Sequence, residues 1–215
     1  MPTPDPRPGP SAHFLIALAG ATDAMMMLRG APVFAVYVTG DTARIGVALG
    51  HGQLSLALLP IMAVILAFFA ATTLAAGIGQ AAPRSRGAVL LGLCAALLAG
   101  AAAVPGDAHR GFAQVLWVAA AMGVLNQVRG DEAGVTFITG TLVRTGRALA
   151  SGDIWAAAQG LGRWCSFLAG VAACAWFDSR YTACTLPLIA AVAGLGAARL
   201  AWRSGPGLAA RLPRQ

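Results

Sequence analysis

The sequence has few charged residues and no lysine: Asp, Glu, Lys and Arg together make up 11% of its 215 residues. Soluble domains carry about a quarter charged residues, so an ordinary soluble protein of this length could not cover its surface with so few. All fifteen basic residues are arginines, placed in small separate groups without interleaved aromatic residues. This pattern excludes a nucleic-acid-binding face.

The motifs of catalysis and of metal binding are also missing from the sequence. Its four cysteines lie inside apolar runs, and they form no C-x-x-C pair and have no accompanying histidine cluster. Buried cysteines of this kind behave as small apolar residues. Because we also find no nucleophile–base arrangement and no phosphate-binding glycine loop, we expect no enzyme, no cofactor and no metal site.

What the sequence has in abundance is apolar residues, which make up 58% of the chain and give a mean hydropathy of +0.71. A membrane-spanning helix needs about 20 apolar residues, and the chain contains enough of them for several spans. We therefore predict an all-α, polytopic membrane helix bundle whose main partner is the lipid bilayer. The six predicted spans are 13–30, 53–79, 87–105, 112–128, 153–177 and 182–203.

The loops carry arginine unevenly, which predicts the orientation in the membrane. With both termini inside, nine loop or terminal arginines lie on the inner side and four on the outer side, and cytoplasmic loops accumulate positive charge. We expect a bacterial inner-membrane protein with a disordered cytoplasmic segment over residues 1–12 and a cytoplasmic tail over 204–215. The first apolar run continues to Leu28, which favours a retained span over a cleaved signal peptide.

An internal repeat relates residues 37–50 to residues 137–150 at a constant offset. The two segments share Thr-Gly, an arginine four residues after that glycine, a second glycine and Ala-Leu. Each copy follows the first span of a three-span half, 13–105 or 112–203, and three spans reverse the direction of the chain. The sequence therefore predicts two inverted three-helix repeats, an arrangement common among secondary transporters.

Each copy of the repeat predicts an interrupted helix at membrane depth. Residues 32–38 and 135–138 are rich in β-branched and aromatic residues, and we expect Thr39 and Thr139 to cap short helices that run to about residues 49 and 149. Helix N-termini of this kind can hold an anion or a carboxylate. The alternative is that Thr-Gly is only a tight turn that lets helices pack. The candidate pathway residues of the repeat are Thr39, Gly40, Asp41, Arg44, Thr139, Gly140 and Arg144.

Two further polar residues lie within predicted spans. Asp23 in the first span is either a proton- or cation-responsive group or a structural hydrogen-bonding group, since a carboxylate in the hydrocarbon region needs a cavity or a partner. Asn126 in the fourth span is its expected pseudo-symmetric partner. At spacing i,i+3, Asp41 is expected to pair with Arg44, whereas Arg144 is expected to extend toward the lipid headgroups.

Four segments resemble the YoaK-like family of uncharacterised bacterial multipass membrane proteins, a domain of unknown function. They are residues 20–24 (Gly-Ala-Thr-Asp-Ala), 37–42 (Tyr-Val-Thr-Gly-Asp-Thr), 122–126 (Met-Gly-Val-Leu-Asn) and 137–142 (Phe-Ile-Thr-Gly-Thr-Leu). The resemblance covers nearly the whole chain. It implies a multipass membrane protein and brings no established activity.

We therefore interpret the sequence as that of a small secondary transporter for an unknown small solute or ion, working by alternating access between its halves. A homodimer is an open alternative to the single chain, because six helices rich in small residues enclose little volume. The rival interpretation is a membrane scaffold or a lipid- or partner-binding protein that transports nothing. In that protein the Thr-Gly turns and the glycines would serve only to pack helices.

Overall fold

A computed structural model describes residues 11–29, 37–53, 55–104, 108–130 and 134–204. Within these ranges all regular secondary structure is helical, in agreement with the predicted all-α class. Short 3₁₀ turns, Leu56–Leu58 and Thr182–Cys184, precede the third and the last helix. The helices are α1 (Ala12–Leu28), α2 (Val38–Gly50), α3 (Leu59–Ala81), α4 (Arg86–Ala103), α5 (Ala108–Leu125), α6 (Ile138–Ala150), α7 (Ile154–Tyr181) and α8 (Thr185–Ser204).

Six of the helices lie where the spans are predicted, namely α1, α3, α4, α5, α7 and α8. By length and composition, three of the described helical segments are long and apolar enough to cross a membrane: Leu56–Ala81, Arg86–Ala103 and Ile154–Arg203. The last is a continuous run of 50 residues that contains both α7 and α8. Helix α1 and the part of α5 from Gly111 to Leu125 are apolar but shorter.

Pro60 and Pro187 fall within the predicted spans 53–79 and 182–203, and both lie in the first turns of their helices. Helix α3 begins at Leu59 and α8 at Thr185, so Pro60 and Pro187 are the second and third residues of these helices. The backbone N–H groups of a first turn have no partner within the helix, and a proline there sacrifices no hydrogen bond. Neither proline therefore interrupts a span.

Helices α1 and α7 pack side by side and run in the same direction. The His13 imidazole lies 2.8 Å from the Ser166 hydroxyl near their beginnings, and Arg29 lies 3.6 Å from Asp178 near their ends. Between these contacts Gly170 meets the backbone of Ala17 so closely that a side chain there would overlap it. We call the end of the bundle where α1 begins the near end, and the end where α1 finishes the far end.

Helix α4 runs antiparallel to both of its principal neighbours. Its first residue, Arg86, donates hydrogen bonds to Gln127 just after α5, whereas Ala101 near its end accepts one from Gln114 early in α5. Against α8, Gly92 lies next to Ala197 and Ala95 next to Gly194. The six long helices therefore alternate in direction between the near end and the far end.

The core of the bundle lies between α1, α4, α5 and α8. Its fully buried side chains include Leu15, Leu91, Leu98, Met122 and Val118. Helices α3 and α7 lie further out and expose large apolar side chains such as Phe69 and Trp176.

Candidate functional site

The repeated segments form two short helices, α2 and α6, with the same local geometry at an offset of 100 residues. Each has 13 residues and ends in the same turn. In α2 the amide of residue 51 bonds to the carbonyl of residue 47, and the amide of residue 53 bonds to the carbonyl of residue 48. The same two bonds join residues 151 to 147 and 153 to 148 in α6. Gly52 and Gly152 close these turns with φ of 67° and 77°, a conformation that favours glycine. The expected ends of the short helices, at about residues 49 and 149, are confirmed to within one residue.

The expected caps of these helices are wrong. Tyr37 and Phe137 occupy the N-cap positions and make no side-chain cap hydrogen bond, while Thr39 and Thr139 lie exposed in the first turn. The aromatic ring of each N-cap residue folds back over the glycine three residues later, Gly40 or Gly140, where a side chain would overlap it. Each Thr-Gly glycine therefore packs directly under an aromatic ring, which a larger side chain there would displace.

The residue that follows each Thr-Gly is buried and interacts with an arginine. The Asp41 carboxylate is 1% exposed and lies 3.5 Å from the Arg44 guanidinium, which confirms the predicted i,i+3 pair. Thr141 is 6% exposed, and its hydroxyl accepts a hydrogen bond of 3.3 Å from Arg144. Arg144, expected only to reach the headgroups, thus also bonds to its own helix, as Arg44 does.

The structure does not bring the two short helices together. Helix α2 follows the end of α1 and lies at the far end, whereas α6 precedes the beginning of α7 and lies at the near end. Thr39, Gly40, Asp41 and Arg44 are therefore separated by the length of the bundle from Thr139, Gly140 and Arg144. The extended segment expected at 32–38 lies outside the described residues up to residue 36, and the one expected at 135–138 begins as a turn.

Asp23 and Asn126 lie in different environments. Asp23 is half-buried on α1, three residues past the middle of the helix, and forms no hydrogen bond or ion pair with the described residues. Asn126 is buried just after α5 and is 3.1 Å from the Thr136 amide and 3.0 Å from its hydroxyl. The connection from α5 to α6 is three residues longer than that from α1 to α2, so the offset of 100 does not apply to α1 and α5. Gly20 and Gly123, which are 103 residues apart, each meet a phenylalanine carbonyl of the neighbouring helix, and at that offset Asp23 corresponds to Asn126. The expected pseudo-symmetric relation between Asp23 and Asn126 stays a prediction.

Sequence reasoning missed two arginine contacts, one at each end of the bundle. At the far end, Arg29 lies 3.6 Å from Asp178 and donates to the Thr182 carbonyl, while the Thr185 hydroxyl donates to Asp178 at 2.7 Å. We call this group the far-end latch; it joins α1, α7 and α8. Arg29 is at least 149 residues away from Asp178 and Thr182 in the sequence, so no local spacing indicated this contact.

The second missed contact, the near-end latch, joins α3, α4 and α5. Arg86 donates to the Gln127 carbonyl at 2.8 Å and to its side-chain oxygen at 3.3 Å. Gly79 and Gly130 flank its guanidinium, and a Cβ atom at either would lie 2.9 Å from it. The far-end latch thus lies among α1, α7 and α8, and the near-end latch lies among α3, α4 and α5 at the opposite end of the bundle.

No metal centre accompanies these contacts in the part of the chain that the structure describes, where no three His, Cys, Asp or Glu side chains come together. The structure does contain an apolar groove of about 240 Å³ between α1, α7 and α8. Thr185 of the far-end latch is the polar residue of its lining. None of the polar residues predicted for a pathway lines this groove.

A bundle of alternating apolar helices, long enough in three segments to cross a bilayer, defines a helical membrane protein. The chain belongs to the family described as "Protein of unknown function (DUF1275)", whose family model matches residues 11–201. This membership confirms the predicted resemblance to an uncharacterised family that covers nearly the whole chain. Comparisons with curated proteins and with solved structures find no match.

Proposed function

We propose that the protein is a secondary transporter of the bacterial inner membrane, built from six spans in two inverted three-helix repeats that provide alternating access. The spans are α1, α3 and α4 in the first repeat and α5, α7 and α8 in the second. The substrate is a small solute or ion, and the protein acts as a single chain or a homodimer. We include no enzymatic activity in this proposal.

The observation that carries the proposal is the placement of α2 and α6. They have the same length and the same terminal turns, and they lie at opposite ends of a bundle whose long helices alternate in direction. Inverted repeats of this kind are common in secondary transporters, where two halves rock around a shared site. A protein that only packs helices has no need for the same short helix at both ends.

The two latches support alternating access. The helices of the far-end latch (α1, α7, α8) correspond, across the repeat, to those of the near-end latch (α5, α3, α4). A transporter must close each end in turn, and one polar contact at each end that joins corresponding helices can do this. In the proposed cycle, one latch breaks while the other holds.

The arginines support the proposed orientation. Of the described loop and helix-end arginines, four lie at the far end: Arg29, Arg44, Arg110 and Arg180. Six lie at the near end: Arg84, Arg86, Arg129, Arg144, Arg147 and Arg203. Because cytoplasmic loops are richer in arginine, the near end is the cytoplasmic end in this proposal, and both termini lie there.

Asp23 is the residue through which we propose coupling to protons or cations. It is half-buried within a span and has no partner among the described side chains, and a carboxylate placed in a bilayer marks an ion pathway more often than a packing site. The remaining pathway candidates, Thr39, Gly40, Asp41 and Arg44 at the far end and Asn126, Thr139, Gly140 and Arg144 at the near end, stay predictions.

Transport in liposomes tests the proposal directly. Purified protein is reconstituted, a proton or sodium gradient is imposed, and the uptake of a broad panel of metabolites and of protons is followed. Asp23→Asn should abolish gradient-driven uptake and leave the fold unchanged. The matched control is Asp153→Asn, because Asp153 is an exposed N-cap of α7 and asparagine caps equally well. If wild-type protein moves no solute or proton under any gradient, the proposal fails.

Cysteine labelling tests the inverted repeat separately from transport. Thr39 and Thr139 are both exposed, so Thr39→Cys and Thr139→Cys in a cysteine-free background should react with a membrane-impermeant maleimide without disturbing packing. We expect Thr39→Cys to label from outside the cell and Thr139→Cys only after the inner face is opened. Labelling of both from the same side would overturn the inverted arrangement.

The apolar groove favours a second candidate function, a membrane scaffold or lipid-binding protein that transports nothing. Its lining contains none of the predicted pathway residues, and the exposed Thr39 and Thr139 do not face it. In such a protein Asp23→Asn changes only stability, and the two latches never open. Equal protection of the native Cys174 thiol under every imposed gradient would favour this function.

A further inference from the structure

The groove between α1, α7 and α8 opens on the outer surface of the bundle. Leu188 and Val192 on α8 and Ala173 on α7 belong to its walls and are exposed, while Ile189 and Leu18 form its buried floor. An exposed wall on an outer helix faces lipid when the bundle lies in a membrane. The groove is therefore open to the acyl chains of the bilayer.

The groove has a direction and a length that suit an acyl chain. It extends along α8 from Thr185, at the far end, to Val192, and seven residues of helix rise by about 10 Å. Half of the hydrocarbon core of a bilayer is about 15 Å thick. On α1 the lining continues from Ala21 to Phe14, the third residue of that helix. The groove thus begins at the headgroup side of the far leaflet and continues past the middle of the bundle.

The far end of the groove carries the residues that mark a headgroup region. Trp176 and Tyr181 are exposed near the end of α7, and such aromatic residues lie at the membrane–water interface. Arg180 lies one turn beyond Phe177, a groove residue, with its guanidinium 4.3 Å from the Trp176 ring. It donates hydrogen bonds to the Trp176 carbonyl and the Ser179 hydroxyl and forms no ion pair with a described carboxylate.

From this combination we propose that the groove is a binding site for an anionic phospholipid of the far leaflet, with one acyl chain between α1, α7 and α8 and its phosphate at Arg180. The charge at the groove end selects the headgroup, because Asp178 already compensates the Arg29 charge whereas no carboxylate among the described residues pairs with Arg180. The apolar lining selects the chain. The site does not depend on the proposed transport activity.

Photolabelling tests the site in its own environment. The full chain is reconstituted in phosphatidylcholine vesicles doped with a phosphatidylglycerol that carries a diazirine on its acyl chain, and labelled peptides are identified by mass spectrometry. We expect the label on groove residues such as Phe14, Leu188 and Val192. A label spread evenly over the exposed faces of α3 and α7 would overturn the proposal, because it would show only bulk lipid around the protein.

Two alanines on α7 provide a matched pair of variants. Ala173 lines the groove and the neighbouring Ala172 does not, and both are exposed. Ala173→Phe should fill the groove and reduce its labelling at least fivefold, while Ala172→Phe should leave it unchanged at equal thermal stability. Equal labelling of the two variants contradicts the proposal.

The headgroup is tested with Arg180→Gln. One basic residue near an anionic lipid changes its binding about fivefold, so this variant should lose a preference of that size for the phosphatidylglycerol probe over a phosphatidylcholine probe. An unchanged preference would show that Arg180 does not bind the phosphate. If Val192→Cys forms a disulfide between two copies in high yield, a second chain covers the groove and the lipid site is refuted.

Discussion

Helices α2 and α6 share a backbone and differ in one buried side chain. Asp41 in α2 and Thr141 in α6 are both buried, and each interacts with the arginine three residues later, at 3.5 and 3.3 Å. The first is a carboxylate and the second a hydroxyl. The two short helices therefore repeat a backbone without repeating a charge, and of the two only α2, at the far end, holds a buried carboxylate.

The same contrast recurs in the latches. The far-end latch is an ion pair supported by a threonine, whereas the near-end latch is an arginine bound to a backbone carbonyl and an amide. Ion pairs and neutral acceptors respond differently to the removal of the arginine, since only the ion pair leaves an uncompensated charge behind. Substitutions of the arginine in each latch can therefore show whether the two latches contribute equally to the free energy of unfolding.

The largest effect is expected where both halves bring helices into closest contact. A Cβ atom at Gly170 would overlap the Ala17 carbonyl between α7 and α1, and one at Gly123 would overlap the Phe68 carbonyl between α5 and α3. Gly170→Ala and Gly123→Ala should each lower the free energy of unfolding by about 3 kcal/mol, because the helices must move apart. Denaturant titration of the protein in detergent measures this loss.

The control for the glycines is Gly77→Ala. Gly77 lies within α3 with open space around it, so alanine there should cost nothing and gain up to about 1 kcal/mol of helix propensity. Equal effects of Gly170→Ala and Gly123→Ala would show that the two pairs of parallel helices are equivalent. If either behaves like Gly77→Ala, close packing is confined to one half.

The next effect in size is expected at the far-end latch. Arg29→Gln leaves the Asp178 carboxylate, which is 12% exposed, with only the Thr185 hydroxyl as a partner. Because the Arg29 side chain is itself 32% exposed, the loss is smaller than for a fully buried pair, about 2 kcal/mol. Thermal unfolding measures it, with Arg180→Gln as the control at the same end.

Arg29→Gln also tests whether the far end of the bundle opens when the latch is removed. Cys174 is buried next to the latch and Cys94 is buried in the core. Arg29→Gln should speed the reaction of Cys174 with a small maleimide and leave Cys94 protected. An equal increase at both cysteines would mean that the bundle unfolds as a whole and that Arg29 is a structural residue only.

These contacts also separate what the sequence could predict from what it could not. The apolar runs located all six long helices, and the Thr-Gly and arginine spacing located α2 and α6 and their ends, because periodicity and turn chemistry are local. The N-caps were predicted wrongly because Tyr37 and Phe137 occupy these positions without a side-chain cap hydrogen bond, and their rings pack over Gly40 and Gly140. The pairing of Arg29 with Asp178 could not be predicted because it depends on which helices become neighbours. A small residue such as Gly170 indicates that another helix packs closely there but does not indicate which helix it is.

A smaller effect is expected at Asn126, whose expected counterpart in the first half, Asp23, forms no such contact with the described residues. The Asn126 amide binds the backbone and the hydroxyl of Thr136 and so ties the end of α5 to the turn before α6. Asn126→Ala leaves the Thr136 amide without this partner and should cost about 1.5 kcal/mol. A double-mutant cycle with Thr136→Val checks it, and additive losses would contradict a shared contact.

The smallest effect on stability, and the most direct test of the difference between α2 and α6, is expected from Asp41→Thr. This variant gives α2 the buried hydroxyl that α6 has at Thr141, where it accepts a hydrogen bond from Arg144. Arg44 is exposed and can remain solvated, so we expect a change of less than about 1 kcal/mol in unfolding free energy. Any gradient-driven uptake that needs the far-end carboxylate should be lost at the same time.

The outcome of Asp41→Thr distinguishes the role of the backbone that α2 and α6 share from the role of the Asp41 carboxylate. Retained stability with altered uptake would mean that the repeat supplies the frame and that Asp41 supplies a chemical difference between the two ends. A loss of stability as large as that of Arg29→Gln would instead mean that Asp41 organises the far end, and the correspondence between α2 and α6 would then be one of backbone only. Thr141→Ala is the control, since it removes the near-end hydroxyl without touching a charge, and its cost of about 1 kcal/mol sets the scale for one hydrogen bond.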